Sequence, residues 1–360
     1  MVIQKDVWKA LLLFLVLCIG FGVYAYVSRK LRSASYPTLI VENNNVMGVE
    51  TLPQLTLDRI FSSDHSWVKI LPPERVVTII ATGDVIPARS VNQGMVKRNN
   101  FLWPFEKTAD VLQSDDLTVI NLEAPLIEGC VVTVEGMSFC GDPRVVEGLK
   151  FSGVDIATLG NNHVGNYGVK GILETEKHLT DANIAFVENK IFYNKINDMQ
   201  FAFLSFNDIG ADEESQISIK AKEAKENADI VIVSYHWGVE YTDMPSERQI
   251  YLAHLAIDNG ADLILGNHPH WIQPVEIYKD KLIAYAHGNF VFDQEWSAET
   301  KLGVVGKYTF YDKKLVDVEY LPIRIMDYGQ PYMLPEAEAK SVLEKMKENS
   351  FRIVENAVGQ

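Results

Sequence analysis

VVTIIATGDV, residues 76–85, is a near-continuous run of apolar and β-branched side chains with Asp84 at its end. A strand without regular polar alternation is one covered on both faces. Outward from it the same pattern returns in LTVINL (Leu117–Leu122), DIATL (Asp155–Leu159), FAFLSF (Phe201–Phe206), DIVIVSYH (Asp229–His236) and DLILG (Asp262–Gly266). Helical patterns lie between, at Val169–Asp181, Ile219–Asn227 and Glu247–Asn259. The last has Ser246 at the N-cap position and Gly260 just past its end, residues that favour helix entry and exit. Buried strands separated by helices predict a layered α/β domain. After Leu282 alternating strands are expected in KLIAYAHGNFVF, VVGKYTFYD and LVDVEYLPIRI, with a hairpin turn at Asp312–Lys314. A charged amphipathic helix from Pro335 to about Glu348 is expected to close the domain at its surface.

The chain before residue 76 differs in kind. Ala10–Val27 reads ALLLFLVLCIGFGVYAYV, 18 residues without a charge, near the lower limit for a helix that spans a bilayer. Trp8 near one end and Tyr24 and Tyr26 near the other sit where aromatic side chains favour the membrane interface. A cleaved signal peptide is the rival reading, but the stretch around Ala25 and Ser28 is a poor small-residue cleavage site. An uncleaved anchor is therefore expected. Lys5 and Lys9 before the span, against Arg29, Lys30 and Arg32 after it, give no clean orientation and lean against an external domain. Cys18 lies in the span, whereas Cys130 and Cys140 form an isolated pair suited to a disulfide in an oxidising compartment; two unrelated buried thiols are the alternative. The expected organisation is a transmembrane anchor with its flanks over 1–32 and a stalk over 33–75 that partly packs on the domain. The main domain follows over 76–330, with a C-terminal helical segment over 331–360. The protein is then expected in the cell membrane, single-pass, with its main domain extracytoplasmic. A formal charge of −15 argues against nucleic acid as a partner, because phosphate contacts need clustered Lys and Arg.

Chemistry-bearing side chains gather where the expected strands end, the place where open α/β sheets bind ligands. The segments are TGDV with Asp84, INLEAP with Asn121 and Glu123, LGNNHVGNYG with Asn161, Asn162 and His163, SYHWGVEY with His236 and Glu240, and GNHPHWIQP with His268 and His270. AHGNFVFDQ adds His287, Asn289 and Asp293. Singly, each reads as a turn former, a helix cap or a satisfied histidine. His236 is harder to dismiss, since an unpaired imidazole at the end of an apolar strand costs desolvation. His268 and His270, two apart in an extended run, are expected to point the same way. Taken together they imply a shared site. One Asp, one Glu, one Asn and three His, with no thiolate, suit one or two divalent ions of Mn, Fe or Zn rather than Ca. A carboxylate that bridges two cations is the layout for two-metal hydrolysis.

From Val76 to about Asp293 the chain resembles the CapA family of capsule-synthesis and poly-γ-glutamate biosynthesis proteins. The motifs are Gly83-Asp84, Asn121 to Glu123, Asn161 to His163 with Tyr167-Gly168, His236 to Tyr241 (HWGVEY), His268 to His270, and Gly288 to Gln294 (GNFVFDQ). The family's fold resembles the calcineurin-like metallophosphoesterases, so the resemblance implies a layered β-sandwich flanked by helices. It implies that Asp84, Glu123 and His270 hold one metal and that Glu123, Asn162, His236 and His268 hold a second, with Glu123 bridging. It gives His163 the role of general acid or transition-state donor. Asn121, Asn161, Tyr167, Trp237, Glu240, His287 and Asn289 are expected to face substrate or to support the ligands. The chain departs from the pattern at Ile86, where phosphoesterases carry a His two residues after the first Asp, and at Asn166, Asn267 and His287.

Three functions follow from different weights on these observations. One is a metal-dependent hydrolase or transferase acting on a phosphoester or an amide-linked anionic polymer. The second is a non-catalytic subunit of a membrane polymer synthase complex that makes or exports poly-γ-glutamate or a related polymer. The third is a phosphatase with no capsule role. The acidity of the chain opposes a polyanionic substrate unless metal or a local basic patch offsets it.

Overall fold

The computed structural model describes residues 52–210 and 213–358, so the expected anchor and the first part of the expected stalk lie outside the described residues. No helix among the described residues is long and apolar enough to cross a membrane. From Leu52 onward the chain forms one compact unit.

Two sheets face each other across an apolar core. The first has eight strands: β1 (Val76–Val85), β2 (Leu117–Leu122), β3 (Ile156–Thr158), β4 (Ala185–Val187), β11 (Asn289–Val291), β12 (Leu302–Tyr311), β13 (Lys314–Met326) and β14 (Gln330–Met333). Its order is β14-β13-β12-β1-β2-β3-β4, with β11 added beside the end of β1. The second sheet holds six: β5 (Phe192–Ile196), β6 (Met199–Asn207), β7 (Ile230–His236), β8 (Leu263–Asn267), β9 (Val275–Tyr278) and β10 (Lys281–Ala284), in the order β5-β6-β7-β8-β10-β9. β1 through β4 run parallel, as do β6, β7, β8 and β10.

Alternation along β1 explains why it is buried throughout. Val77, Ile79 and Ala81 enter the core between the sheets, against Phe201, Phe203, Ile232 and Leu265. Ile80 and Val85 face the other way, into a second core with Val91, Met95, Leu149 and Leu179. Those four come from the helices Arg89–Arg98, Val145–Phe151 and Gly168–Asp181. On the far side of the six-stranded sheet, Val231, Val233 and Tyr235 pack on Ile217, Leu252 and Ala256 of the helices Glu214–Asn227 and Glu247–Asp258. Each fully buried aliphatic or aromatic side chain contributes about 1.5–3 kcal/mol. The result is a helix, sheet, sheet, helix sandwich.

Two sequence expectations change. KLIAYAHGNFVF is not one strand: β10 belongs to the six-stranded sheet and β11 to the eight-stranded one. The chain crosses the sandwich between Ala284 and Asn289, and because everything from Leu282 to Phe292 is buried, hydropathy carries no mark of the break. Gly288 makes the crossing at φ 73°, and its carbonyl sits so close to β1 that a Cβ on Gly83 would lie 2.1 Å from it. The end of the expected stalk, from Leu52 on, packs on the domain: Leu55, Leu57 and Ile60 are in the inter-sheet core. His65 Nδ1 and Trp67 Nε1 both reach Asp317, at 2.8 and 3.0 Å. At the other end, β14 spans the expected boundary at 330, and the final helix runs on to Val358, burying Met346, Ser350 and Ile353.

Other details match. Ser246 caps the helix Glu247–Asp258 in a reciprocal capping box with Gln249, and Gly260 follows at φ 116°. Asp312 and Lys313, at φ 47° and 69°, form the two-residue turn between β12 and β13.

Candidate metal centre

Parallel strands from both sheets end at one place. β1 brings Asp84, β2 brings Asn121 and then Glu123, and the loop after β3 brings Asn161, Asn162 and His163. From the other sheet, β7 ends on His236, and the turn after β8 carries His268 and His270. The donor atoms of Asp84, Glu123 and His270 lie within 4.8 Å of one another, as do those of Glu123, His236 and His268. Glu123 is common to both groups, each of which could hold a metal ion. A third group within the same distance joins Glu240 to His268 and His270.

The polar accounting favours a cation. Glu123 is fully buried, and neither carboxylate oxygen makes a hydrogen bond, although His236 Nε2 stands 3.3 Å from Oε1; Asn162 Oδ1 is likewise buried and without a hydrogen bond. An orphaned buried acceptor costs about 1–3 kcal/mol. Oxygens left so beside three histidines, with no thiol among the donors, fit a borderline transition metal.

Neighbouring side chains hold the donors in place. Asn121 Nδ2 donates to Asp84 Oδ1 at 2.8 Å, and Asn161 Nδ2 donates to Asn121 Oδ1 at 3.1 Å. His270 Nδ1 faces Asp84 Oδ2 at 3.0 Å and Asn289 Oδ1 at 2.9 Å, and His268 Nδ1 lies 3.1 Å from His236 Nε2. The HPH segment is not extended as expected. His268 and His270 stand at φ 97° and 57° on either side of Pro269, so a tight turn, not a strand, brings the two rings to the site. Such backbone costs about 1–3 kcal/mol per residue and persists only where the surroundings impose it. Here Pro269 O accepts from Tyr241 N at 2.8 Å and Asn267 O from Trp237 N at 3.1 Å.

Electrostatics divides the cluster. Burial alone would raise the Asp84 carboxyl, but the bonded His270 overrides it and holds Asp84 down at about 2. Burial opposes a charge on His270 too, yet Asp84 and Glu123 lift it to about 9. Burial pushes His236 and His268 down to about 3, the neutral form that binds metal. Glu123 is raised well above the usual carboxyl range, by burial first and then by the Asp84 charge.

His163 is buried and stacked on Phe139, ring centroids 4.2 Å apart. The Phe139 N–H donates to Asn166 Oδ1 at 2.7 Å, which fixes the orientation of that amide. His163 Nδ1, 3.0 Å from the same oxygen, must then carry the proton, leaving Nε2 free. Burial holds the imidazole below its ordinary value. In that tautomer Nε2 is an acceptor.

Of the expected supporting residues, Asn121, Asn161 and Asn289 bond within the cluster and Glu240 lies against it. His287 and Trp237 do not join it. His287 Nδ1 faces Gly266 O at 3.0 Å and Nε2 faces the Tyr308 hydroxyl at 2.7 Å, while the Trp237 indole donates to Tyr285 O at 2.9 Å. Tyr167 is exposed. Cys130 and Cys140 are bonded, with Cα atoms 5.8 Å apart.

A cleft of about 790 Å³ opens over the cluster, with His163, Glu240 and His270 among its lining and Arg89, Lys97 and Arg98 along one wall. Arg89 is held between the rings of Phe139 and Phe292, at 4.9 and 5.0 Å, pairs with Asp293, and has a buried Nε with no partner. Nothing in the sequence marked this wall. Its helix, RSVNQGMVKR, has a polar, nearly patternless sequence, and Arg89 enters it at φ 49°.

The family model described as "Bacterial capsule synthesis protein PGA_cap" matches residues 78–294. The chain is 32% identical to the "Capsule biosynthesis protein CapA" of Bacillus anthracis over 74% of this chain and 71% of that one. It is 33% identical to the "PGA biosynthesis protein CapA" of Bacillus subtilis (strain 168), over 76% and 79%. Among solved structures it is similar to a hypothetical protein from Thermus thermophilus, at a TM-score of 0.47 and 16% identity, covering 72% of this chain and 100% of that one. All the clustered donors between Asp84 and His270 fall inside the matched span, and the chain belongs to the bacterial capsule synthesis family.

Proposed function

We propose that this protein is a membrane-anchored, extracytoplasmic component of capsule or poly-γ-glutamate biosynthesis whose centre performs metal-dependent hydrolysis or transfer on a phosphoester or on an amide of an anionic polymer. The observation that carries the metal reading is Glu123: fully buried, without a hydrogen-bond partner, and common to two ligand groups. Asp84, Glu123 and His270 would hold one divalent ion, and Glu123, Asn162, His236 and His268 a second. Bound there, such ions supply a lowered pKa for water and a clamp for a phosphoryl or carbonyl oxygen. The rest falls to the chain itself. Asn121 and Asn289 orient Asp84 and His270. His163 Nε2 faces the cleft as a base that can take a proton from the attacking group and return it to the leaving group. Arg89, Lys97 and Arg98 line the cleft where an anionic substrate would lie, but Arg89 pairs with Asp293 and Arg98 with Asp327, so cations and carboxylates share that wall.

A non-catalytic role beside a membrane polymer synthase is the second reading. One observation favours it: Ile86 is sealed in an apolar cluster with Ala88, Ala124, Phe139 and Phe292, so the position offers no ligand. Elemental analysis of the detergent-extracted protein, then turnover assays on bis(4-nitrophenyl) phosphate and on poly-γ-glutamate, tests both. Metal with metal-dependent turnover is expected. Metal without turnover on either substrate supports the second reading, and no metal even after reconstitution with Mn or Zn overturns the centre altogether.

A further inference from the structure

We infer that Glu240 is an additional metal ligand of this centre, supplied from the cleft side; the inference rests on the metal reading above. The group Asp84, Glu123 and His270 offers three donors, the number that leaves a hydrolytic site an open position, and Ile86 adds none. Glu240 offers a further carboxylate from a different element, in a group with His268 and His270. Its carboxylate lies within 4.8 Å of the donor atoms of both His268 and His270, one from each of the two ligand groups.

The placement is built. β7 ends on His236, and the chain then turns back at Gly238, φ 89°, and Tyr241, φ 63°. The bonds from Trp237 N to Asn267 O (3.1 Å) and from Tyr241 N to Pro269 O (2.8 Å) lock this turn to the turn carrying the two histidines. The backbone that carries Glu240 is thereby held beside those histidines. Unlike Asp84 and Glu123, which are fully buried, it is half-buried and lines the cleft. The centre thus has a buried ligand set and one carboxylate on the open side, where substrate must arrive.

The test uses full-length protein in detergent, stripped with chelator and titrated with Mn2+ and Co2+. Glu240→Gln keeps the side-chain size, and its metal-free melting temperature should equal the parent's. Its metal affinity should fall by at least the ~10- to 100-fold that loss of even an outer-shell partner costs, and the visible spectrum of bound Co2+, which reports coordination number, should change. Equal affinity overturns the inference. Weaker binding with an unchanged Co2+ spectrum also overturns it, since Glu240 would then act through another ligand. If the parent itself takes up no metal, the metal reading falls and this inference with it; if the parent loads and Glu240→Gln loads equally, this inference alone fails.

Discussion

Asn162 and His163 are neighbours in one loop with separate jobs. Asn162 Oδ1 is buried without a partner, as a ligand awaiting a cation would be, while His163 is engaged by Phe139 and Asn166 and lines the cleft. Asn162→Ala should therefore weaken metal binding, whereas His163→Ala should keep the metal and lose about 100- to 10,000-fold in turnover. Metal content of the two variants, measured beside kcat, checks this; equal loss of metal in both would refute the division. The Asn166 contact gives a second test. Burial keeps the His163 imidazole low, so turnover through its neutral form should fade as pH drops through that lowered value. Asn166→Asp sets a carboxylate against Nδ1, favours the protonated ring, and should move this acidic limb to higher pH. A pH profile of kcat/KM with an unmoved limb would show that Nδ1 does not feel residue 166.

At the scale of elements, the strand ends were legible because a polar residue closing an apolar run leaves a clear mark, as in TGDV, INLE and SYHW. Two kinds of element were not. β10 and β11 read as one strand because burial is unbroken across the crossing, and Arg89 was invisible because its role comes from the two rings that clamp it, far apart in sequence. Glu240 was seen as a neighbour of the site, but its approach to His268 and His270 depends on backbone at positive φ, which composition does not reveal. The segment from Leu57 to Arg75 is a further case, since its attachment depends on a distant carboxylate. His65 faces Asp317, with Ser62 O on its other nitrogen and the charge of Glu319 nearby. Burial opposes protonation of His65, but the bond to Asp317 and the two acidic charges outweigh it and raise its pKa. A raised folded value means that the stabilisation is complete below about 6.5, the ordinary histidine value, and is lost as pH rises through the folded one. The parent should therefore melt above His65→Gln at pH 6, by at most about 1 kcal/mol in stability, and the gap should close by pH 9. A gap that is constant or widens with pH would mean that His65 is held neutral.

At the scale of the whole molecule, a chain of charge −15 lines the cleft beside its centre with paired cations and carboxylates, and the loop that Cys130 and Cys140 close borders the same cleft. That loop places Val134, Met137 and Phe139 along the cleft, with Phe139 stacked on His163 and its amide bonded to Asn166. The metal donors come instead from strand ends and from turns locked between the sheets. The disulfide should therefore brace the base and not the ligands. Removing it with Cys130→Ser/Cys140→Ser frees a loop of sequence separation 10, which by loop closure should lower stability by about 2–3 kcal/mol. Metal content should stay at the parent's level, while kcat falls because Phe139 and Asn166 no longer hold His163. Non-reducing peptide mapping of membrane-extracted protein comes first: a bonded pair is expected if the domain faces an oxidising compartment, and two free thiols would remove that support for an external domain. Thermal melts, metal analysis and turnover of the double variant then separate the roles. Loss of metal together with stability would show that the loop props the ligand cluster as well, and unchanged turnover would show that His163 keeps its place without Phe139.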